Sequence, residues 1–507
     1  MFEQDVFYQD QPPKLLVANR SEIACRIFQS CREMDIRTVG IVAPGDEEAR
    51  HVTYADEVQS VSSYLDGDSI LRAAQQSKAD FIHPGYGFLS ESAVFATQVA
   101  RAGFVFIGPS PETLDLFGNK MKAMELAAQE GIPVLPWARW SDLDSTLDLG
   151  GIARQIGFPL ILKPACGGGG KGMRRVNAPE ELDAALESAV AESGMVFGNS
   201  SLFLQSCLEK PRHIEVQIFG DGRGNGIHLY ERECTLQRRH QKIWEEAPAP
   251  NLSDEVREKL FESALKLIRA TRYKGVGTVE FLVDQDEHYF FIEMNPRLQV
   301  EHAVTEMVTG VDLVWSHIMS CISGGNWKLM ETPIKRGVAI EVRLCAENPE
   351  QDFQPTSGRI AQLNWPTGPG IRIDSGIENG QMIQTQFDSM LAKLIVLAPH
   401  REHALARLKY ALEETVIFGV GTNQEYFLKL CQNPDLRAGK LYTRFLEENP
   451  PQYSAGDSNE LDFLNQTLIN QVRVSGMPRY SSAIRKVDSP WTAFAARFPS
   501  YSIGEKS

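Results

Sequence analysis

Several domains of mixed α and β structure, the first of them a parallel α/β unit, are what the sequence predicts. Three observations carry this reading. The chain of 507 residues is long enough for about two to four domains. Its opening alternates strand and helix patterns, and its middle holds two apolar runs that flank a short acidic turn. Taken in order, KLLVAN (14–19) reads as a buried strand and SEIACRIFQSCREM (21–34) as a helix behind a Ser N-cap. RTVGIVA (37–43) is the next strand, giving a β-α-β start to a unit that ends near residue 118. Further on, TVEFLVD (278–284) and the run Tyr289–Ile292 are separated by Asp284-Gln285-Asp286-Glu287, the spacing of a β-hairpin. The last third alternates short strands with turn signals such as PTSGR and WPTGPG before the helix REHALARLKYALEETV (401–416).

Composition excludes some functions. A content of 43% apolar and 23% charged residues is that of an ordinary globular protein. A net charge of −15 argues against a nucleic-acid partner, whose phosphates are bound chiefly by Lys and Arg. The short basic cluster QRRHQK (237–242) is expected to meet small anions instead. Eight cysteines without C-x-x-C spacing point to reduced, buried thiols rather than a disulfide framework or zinc site. The acidic amino terminus lacks the features of a signal peptide, and no apolar run reaches the roughly 18 residues of a membrane span. The expectation is a cytoplasmic protein that does not bind membranes.

Two stretches carry the chemistry. In FFIEMNPRLQVEH (290–302), functional groups recur at every second position: Glu293, Asn295, Arg297, Gln299 and Glu301. An extended backbone would turn all five to one side. A solvated polar face would explain one or two charges, but the apolar runs around these residues argue for burial. The hairpin would bring Glu280 within reach of Glu293, and converging buried carboxylates repel unless a cation lies between them. Oxygen ligands of this kind suit Mg²⁺ or Mn²⁺. The second stretch, LILKPACGGGGKGMRRV (160–176), reads as strand, glycine loop, strand. It is no Walker loop, because Lys171 precedes Gly172 rather than Ser or Thr. A glycine flap with Lys163 and Lys171, upstream of a two-carboxylate metal site, is what an ATP-dependent ligase requires.

With ERECTLQRRHQKIWEEAPAP (231–250), GTVEFL (277–282), LLVANRSEIACRI (15–27), FIHPGYGFLSES (81–92), FIGPSPETLDLFGNK (106–120), TEMVTGVDLV (305–314), AIEVRLCAE (339–347) and FDSMLAKLIV (387–396), the chain resembles the biotin carboxylase family of ATP-grasp enzymes over about residues 14–448. The resemblance implies a multidomain α/β and α+β fold. Residues 1–118 would form the α/β N-terminal domain, and 119–330 the ATP-grasp domain with a mobile glycine-loop lid at about 135–205. Residues 331–448 would form the α+β C-terminal domain, with 449–507 as a flexible or docking extension. This sequence departs from the family at Ser21, Cys166, Gln205, Ser206, Trp244 and Ala303. Where Gln205 and Ser206 stand, family members often carry an acidic residue and a lysine, so the resemblance implies backbone contacts to the base there; the departures at Cys166, Trp244 and Ala303 remove no charged group from the implied chemistry.

The resemblance also implies roles. Lys120 and Lys163 would contact ATP phosphates with the amides of Gly169 and Gly170, while Gln205, Ser206, Cys207, Leu208 and Leu282 would surround the base. His213, Gln237 and His240 complete the nucleotide site; Glu280, Glu293 and Asn295 would hold Mg²⁺ or Mn²⁺. Lys242, Arg297, Gln299 and the Val300 backbone would cradle bicarbonate, Glu301 would act as a modestly tuned general base, and Arg343 would stabilise the biotin anion. The sequence has no Ala/Val-Met-Lys-Met tetrapeptide, so biotin is expected on a separate carrier protein, with carboxyltransferase subunits as further partners and a homodimer as the assembly. Acetyl-CoA is the favoured final acceptor. Pyruvate, propionyl-CoA or another acyl-CoA, a non-catalytic ATP-binding scaffold, and an ATP-grasp ligase for an amino acid or purine precursor stay open at this point.

Overall fold

The structure, a computed structural model, describes residues 12–140, 149–165, 172–197, 202–239, 241–323 and 331–451. Gly169, Gly170, Lys171, Cys166 and His240, and all of the extension past residue 451, lie outside the described residues.

The first unit is a five-stranded parallel sheet of β1 (Lys14–Val17), β2 (Arg37–Val42), β3 (Glu57–Ser60), β4 (Phe81–His83) and β5 (Val105–Phe106), in the order β3-β2-β1-β4-β5. Leu15 and Val17 enter one apolar cluster and Leu16 another. The sheet is therefore covered on both faces, which is why its first strand reads as an unbroken apolar run. Helix α1 (Ser21–Glu33) follows β1, with one difference from the sequence reading. Arg20 occupies the cap position, and no side chain caps the helix. Ser21 adopts φ +57°, in the left-handed region, and its hydroxyl lies where a side chain on Gly376 would stand. The hydroxyl is thereby turned toward Gly376 instead of onto the helix amides.

A small four-stranded sheet follows: β6 (Trp137–Trp140), β7 (Leu160–Pro164), β8 (Arg174–Val176) and β9 (Leu202–Ser206), in the order β6-β9-β7-β8. The strands on either side of the glycine loop pair antiparallel, Leu160 facing Val176. A large sheet then runs through β10 (Arg212–Asp221), β11 (Gly226–Arg238), β12 (Gln241–Ala247), β13 (Lys274–Val283), β14 (Tyr289–Asn295) and β15 (Val338–Cys345). Its order is β14-β13-β10-β11-β12-β15, followed by strands Met390–Ala398 and Ile371–Ser375. Pairing of β12 with β15 carries one sheet from the central part of the chain into the carboxy-terminal part. Alternation sorts β10: Ile214, Val216 and Ile218 enter the central apolar cluster with residues of helix Asp254–Thr271, and Glu215 and Gln217 reach Arg232.

Candidate active site

Every predicted site residue among those described lines one cavity of about 1120 Å³. The hairpin predicted from the acidic turn forms, and its register sets Glu280 directly opposite Glu293 and Thr278 opposite Asn295. The extended run does not continue, however. β14 stops at Asn295 because Pro296 has no N–H for the ladder, and Glu301 sits at the start of helix His302–Thr309. Strict alternation therefore places only Glu293 and Asn295, whereas Arg297, Gln299 and Glu301 reach the cavity from a loop and a helix end.

Side chains join the two halves of the site. Asn295 Nδ2 donates to Glu280 Oε1 at 2.9 Å, and Gln299 Nε2 donates to the same oxygen at 3.3 Å. Arg297 donates to Gln299 Oε1 at 3.0 Å and to the Leu298 carbonyl at 3.1 Å, and pairs with Glu91. Lys242 Nζ lies 2.5 Å from Glu215, 2.8 Å from Glu280 and 2.7 Å from Glu301. The other Glu301 oxygen accepts from Arg343 Nη2 at 3.0 Å, and Arg343 Nε donates to Glu245 at 2.8 Å. A buried chain of alternating charge thus runs Glu280, Lys242, Glu301, Arg343, Glu245.

This alternation sets the protonation states. Burial alone would raise the Glu301 carboxyl, but Lys242 and Arg343 hold it well below the ordinary carboxylate range, more than modest tuning. Burial is likewise outweighed at Glu280, which Lys242 and His213 hold far below its usual value. Burial pushes Glu245 up to about 7 even against Arg343, with the Glu301 charge adding to the rise.

At the other end of the cavity, Lys120 pairs with Glu293. Lys163 Nζ donates to Gln205 Oε1 at 2.7 Å, so its bonded partner is neutral. Burial, with the neighbouring Lys120 charge, lowers the Lys163 ammonium to about 8. His213 Nδ1 meets Gln237 Nε2 at 2.7 Å, and its Nε2 lies 2.9 Å from Glu280. Ser206, Cys207, Leu208 and Leu282 also line this end. The carbonyl of Val300, part of the expected bicarbonate cradle, accepts from Lys393 at 2.9 Å. The basic cluster does not face small anions alone: Arg238 pairs with Glu347 at 2.9 Å and Arg239 with Asp352.

Glu215, Glu245, Arg232 and Glu91 were missed by motif reading. Glu215 had a signal, standing two residues from His213 on a strand whose other face is apolar, so it had to share the histidine's side. Glu280 and Glu293 suit a hard divalent cation by donor chemistry: anionic oxygens on adjacent strands with the Asn295 amide beside them.

Family models match most of the chain. Residues 11–114 match the biotin carboxylase N-terminal domain, 119–324 the carbamoyl-phosphate synthase L chain ATP-binding domain, and 341–448 the biotin carboxylase C-terminal domain. A biotin carboxylase of Nostoc sp. is 43% identical over 86% of this chain and 98% of its own length. The mitochondrial methylcrotonoyl-CoA carboxylase subunit alpha of Dictyostelium discoideum is 40% identical over 85% of the chain, which spans only 63% of that protein. Among solved structures, the biotin carboxylase domain dimer of Hydrogenobacter thermophilus 2-oxoglutarate carboxylase, in complex with MgADP, ADP and bicarbonate, superposes with a TM-score of 0.83. It is 40% identical and covers 88% of this chain and 100% of its own. Fold and matches together define an ATP-dependent ligase. The chain belongs to the biotin carboxylase family of ATP-grasp enzymes. No helix among the described residues is long and apolar enough to cross a membrane.

Proposed function

We propose that the chain carboxylates biotin, presented on a separate carrier protein, at the expense of ATP and bicarbonate, as the first half-reaction of an acetyl-CoA carboxylase. A bicarbonate oxygen attacks the γ-phosphorus and ADP leaves, giving carboxyphosphate. This splits into CO₂ and phosphate, and the biotin ureido nitrogen, losing its proton, attacks the CO₂. The observation that carries the reading is the Glu301 carboxylate, shared between Lys242 and Arg343 beside the Glu280–Glu293 pair.

Lys120 and Lys163 offset phosphate charge, with the Gly169 and Gly170 amides as further donors. Lys163 in particular gains a counter-ion that neutral Gln205 does not supply. The backbone of Gln205 to Leu208 would flank the base with Leu282, and His213, Gln237 and His240 would contribute to the nucleotide site. Glu280, Glu293 and Asn295 would hold Mg²⁺ or Mn²⁺, which supplies charge neutralisation on the phosphates. Arg297, through its planar fork, with Gln299, Lys242 and the Val300 backbone, fits the planar bicarbonate ion. Glu301 takes the bicarbonate proton: an entering anion draws Lys242 and Arg343 toward itself and returns basicity to the carboxylate. Arg343 then stabilises the ureido anion, and the released phosphate accepts the biotin proton.

The chemistry calls for a biotin carboxyl carrier protein and carboxyltransferase subunits as partners, and a homodimer is the assembly the family resemblance supports, as in the Hydrogenobacter thermophilus domain dimer. The buried free thiols fit a reducing cytoplasm. Pyruvate or another acyl-CoA as final acceptor would use the same residues. The test is ADP release by the purified chain with Mg²⁺ and free biotin, with and without bicarbonate, alongside Glu301→Gln. Stimulation by bicarbonate and biotin that falls by about 10² to 10⁴ in the variant is expected. ATP turnover indifferent to bicarbonate, or absent even with a carrier domain supplied, overturns the reading.

A further inference from the structure

The segment FDSMLAKLIV contains a lysine to which the chemistry above gives no part. Lys393 lies on strand Met390–Ala398, opposite Arg343 in the register, and its side chain is fully buried. An ammonium so placed is costly unless its N–H groups find partners. Lys393 Nζ donates to the Val300 carbonyl at 2.9 Å and lies 3.4 Å from Glu22 Oε2 and 3.5 Å from Asp374 Oδ2. Asp374 has a partner of its own, since Arg372 donates to both its oxygens at 2.8 Å. Lys393 is therefore not required as its counter-ion.

The other two contacts lead to the cavity. Val300 belongs to the loop that carries Arg297 and Gln299. Glu22, on α1 of the first unit, accepts a hydrogen bond from the Tyr86 hydroxyl through its other oxygen. Tyr86 lines the cavity and lies within the field of Arg343. One buried ammonium thus joins a strand of the carboxy-terminal part, the loop on the bicarbonate side and, through Glu22, a hydroxyl on the Arg343 side.

We propose that Lys393 is a positioning residue for biotin carboxylation, fixing the Val300 carbonyl on one wall of the cavity and, through Glu22, the Tyr86 hydroxyl on the other. The inference rests on the biotin carboxylase reading given above. Lys393 need not touch substrate. Its contribution is to hold two walls, built from chain segments remote in sequence, at a fixed separation while bicarbonate and biotin bind between them.

The two arms separate experimentally. Steady-state kinetics with free biotin are measured for wild type, Lys393→Met, Glu22→Gln and Tyr86→Phe, with ADP affinity measured by calorimetry. Lys393→Met is expected to raise KM for both bicarbonate and biotin by about tenfold or more, while ADP affinity stays within about twofold. Glu22→Gln leaves Lys393 on Val300 and is expected to raise KM for biotin alone. Tyr86→Phe should reproduce that effect, and the double variant should add nothing to it. A folded Lys393→Met enzyme with both KM values unchanged overturns the proposal, as does equal loss toward ATP, bicarbonate and biotin. Should Lys393→Met fail to fold, the Glu22→Gln enzyme decides: equal effects on the two substrates, or none, overturn the proposal. Wild-type turnover that depends on bicarbonate is the control for the underlying reading, so its absence is distinguishable from failure of this inference.

Discussion

Replacing Lys242 by Met withdraws one ammonium from among three buried carboxylates, and the distances allow its effect to be worked out. Glu215, Glu280 and Glu301 all lie within 2.8 Å of Nζ. Each keeps one basic neighbour: Arg232 on Glu215, His213 beside Glu280 and Arg343 on Glu301. Removing one partner of a buried ion pair costs about 3–5 kcal/mol, and the surviving neighbours keep the loss in that range rather than three times it. The sign of its pH dependence also follows. In the native protein Glu280 and Glu301 titrate below their unfolded values, burial being outweighed by Lys242 first of all. Their contribution to stability is therefore fully present above an unfolded pKa of about 4.3 and is lost as pH falls through the depressed folded values. Without Lys242, burial and mutual repulsion dominate and the folded pKa values rise above the unfolded ones. The variant then takes up protons on folding, and regains stability as pH falls from about 8 toward 5. Urea unfolding of both proteins at the two ends of that range is the assay. A deficit of less than about 1 kcal/mol at pH 8, or one that widens on acidification, refutes the argument.

Nucleotide affinity should depend on Lys163. It should weaken as pH rises through about 8, where this ammonium loses its proton. Gln205→Glu would give Lys163 a carboxylate partner, raise its pKa and move that limb to higher pH, read by ADP titration calorimetry across pH. Arg297→Ala should raise KM for bicarbonate by about tenfold or more with ADP affinity unchanged, since the guanidinium binds the Gln299 side and not the Lys163 end of the cavity. Ser21→Gly should stabilise the protein by about 1 kcal/mol, because Ser21 holds φ +57° and glycine adopts that conformation freely. Gly376→Ala should destabilise it, since the added methyl carbon would stand 2.6 Å from the Glu22 amide nitrogen. Thermal unfolding measures both.

What the sequence discloses and what it hides follow from the range of the forces involved. The β1-α1-β2 start and the Glu280–Glu293 hairpin are legible because period and turn chemistry act between neighbours in the chain. The alternation rule overreaches at Pro296, where a missing N–H ends the strand, yet the loop still delivers Arg297, Gln299 and Glu301 to the same cavity. Motif resemblance finds these groups; it does not reveal what neutralises them. Besides Glu301, the partners of Lys242 and Arg343 come from β10, β12 and β13, and Lys393 reaches Glu22 across hundreds of positions. Glu215, Glu245 and Glu280, read locally, are polar residues of strands and look exposed. Only the sheet running from β14 to Ile371–Ser375, covered by helices and by the first unit, turns that polar side into an interior. There a carboxylate must find a cation or a proton. Glu341 shows the second outcome: opposite Glu245 in the register and with neither oxygen hydrogen-bonded among the described residues, it is pushed well above the usual carboxylate range by burial, with the charge of Glu245 adding to the rise. The Arg343 guanidinium is hydrogen-bonded to Glu245 and Glu301, not to Glu341. That balance of charge belongs to the folded sheet and has no signature in any single segment.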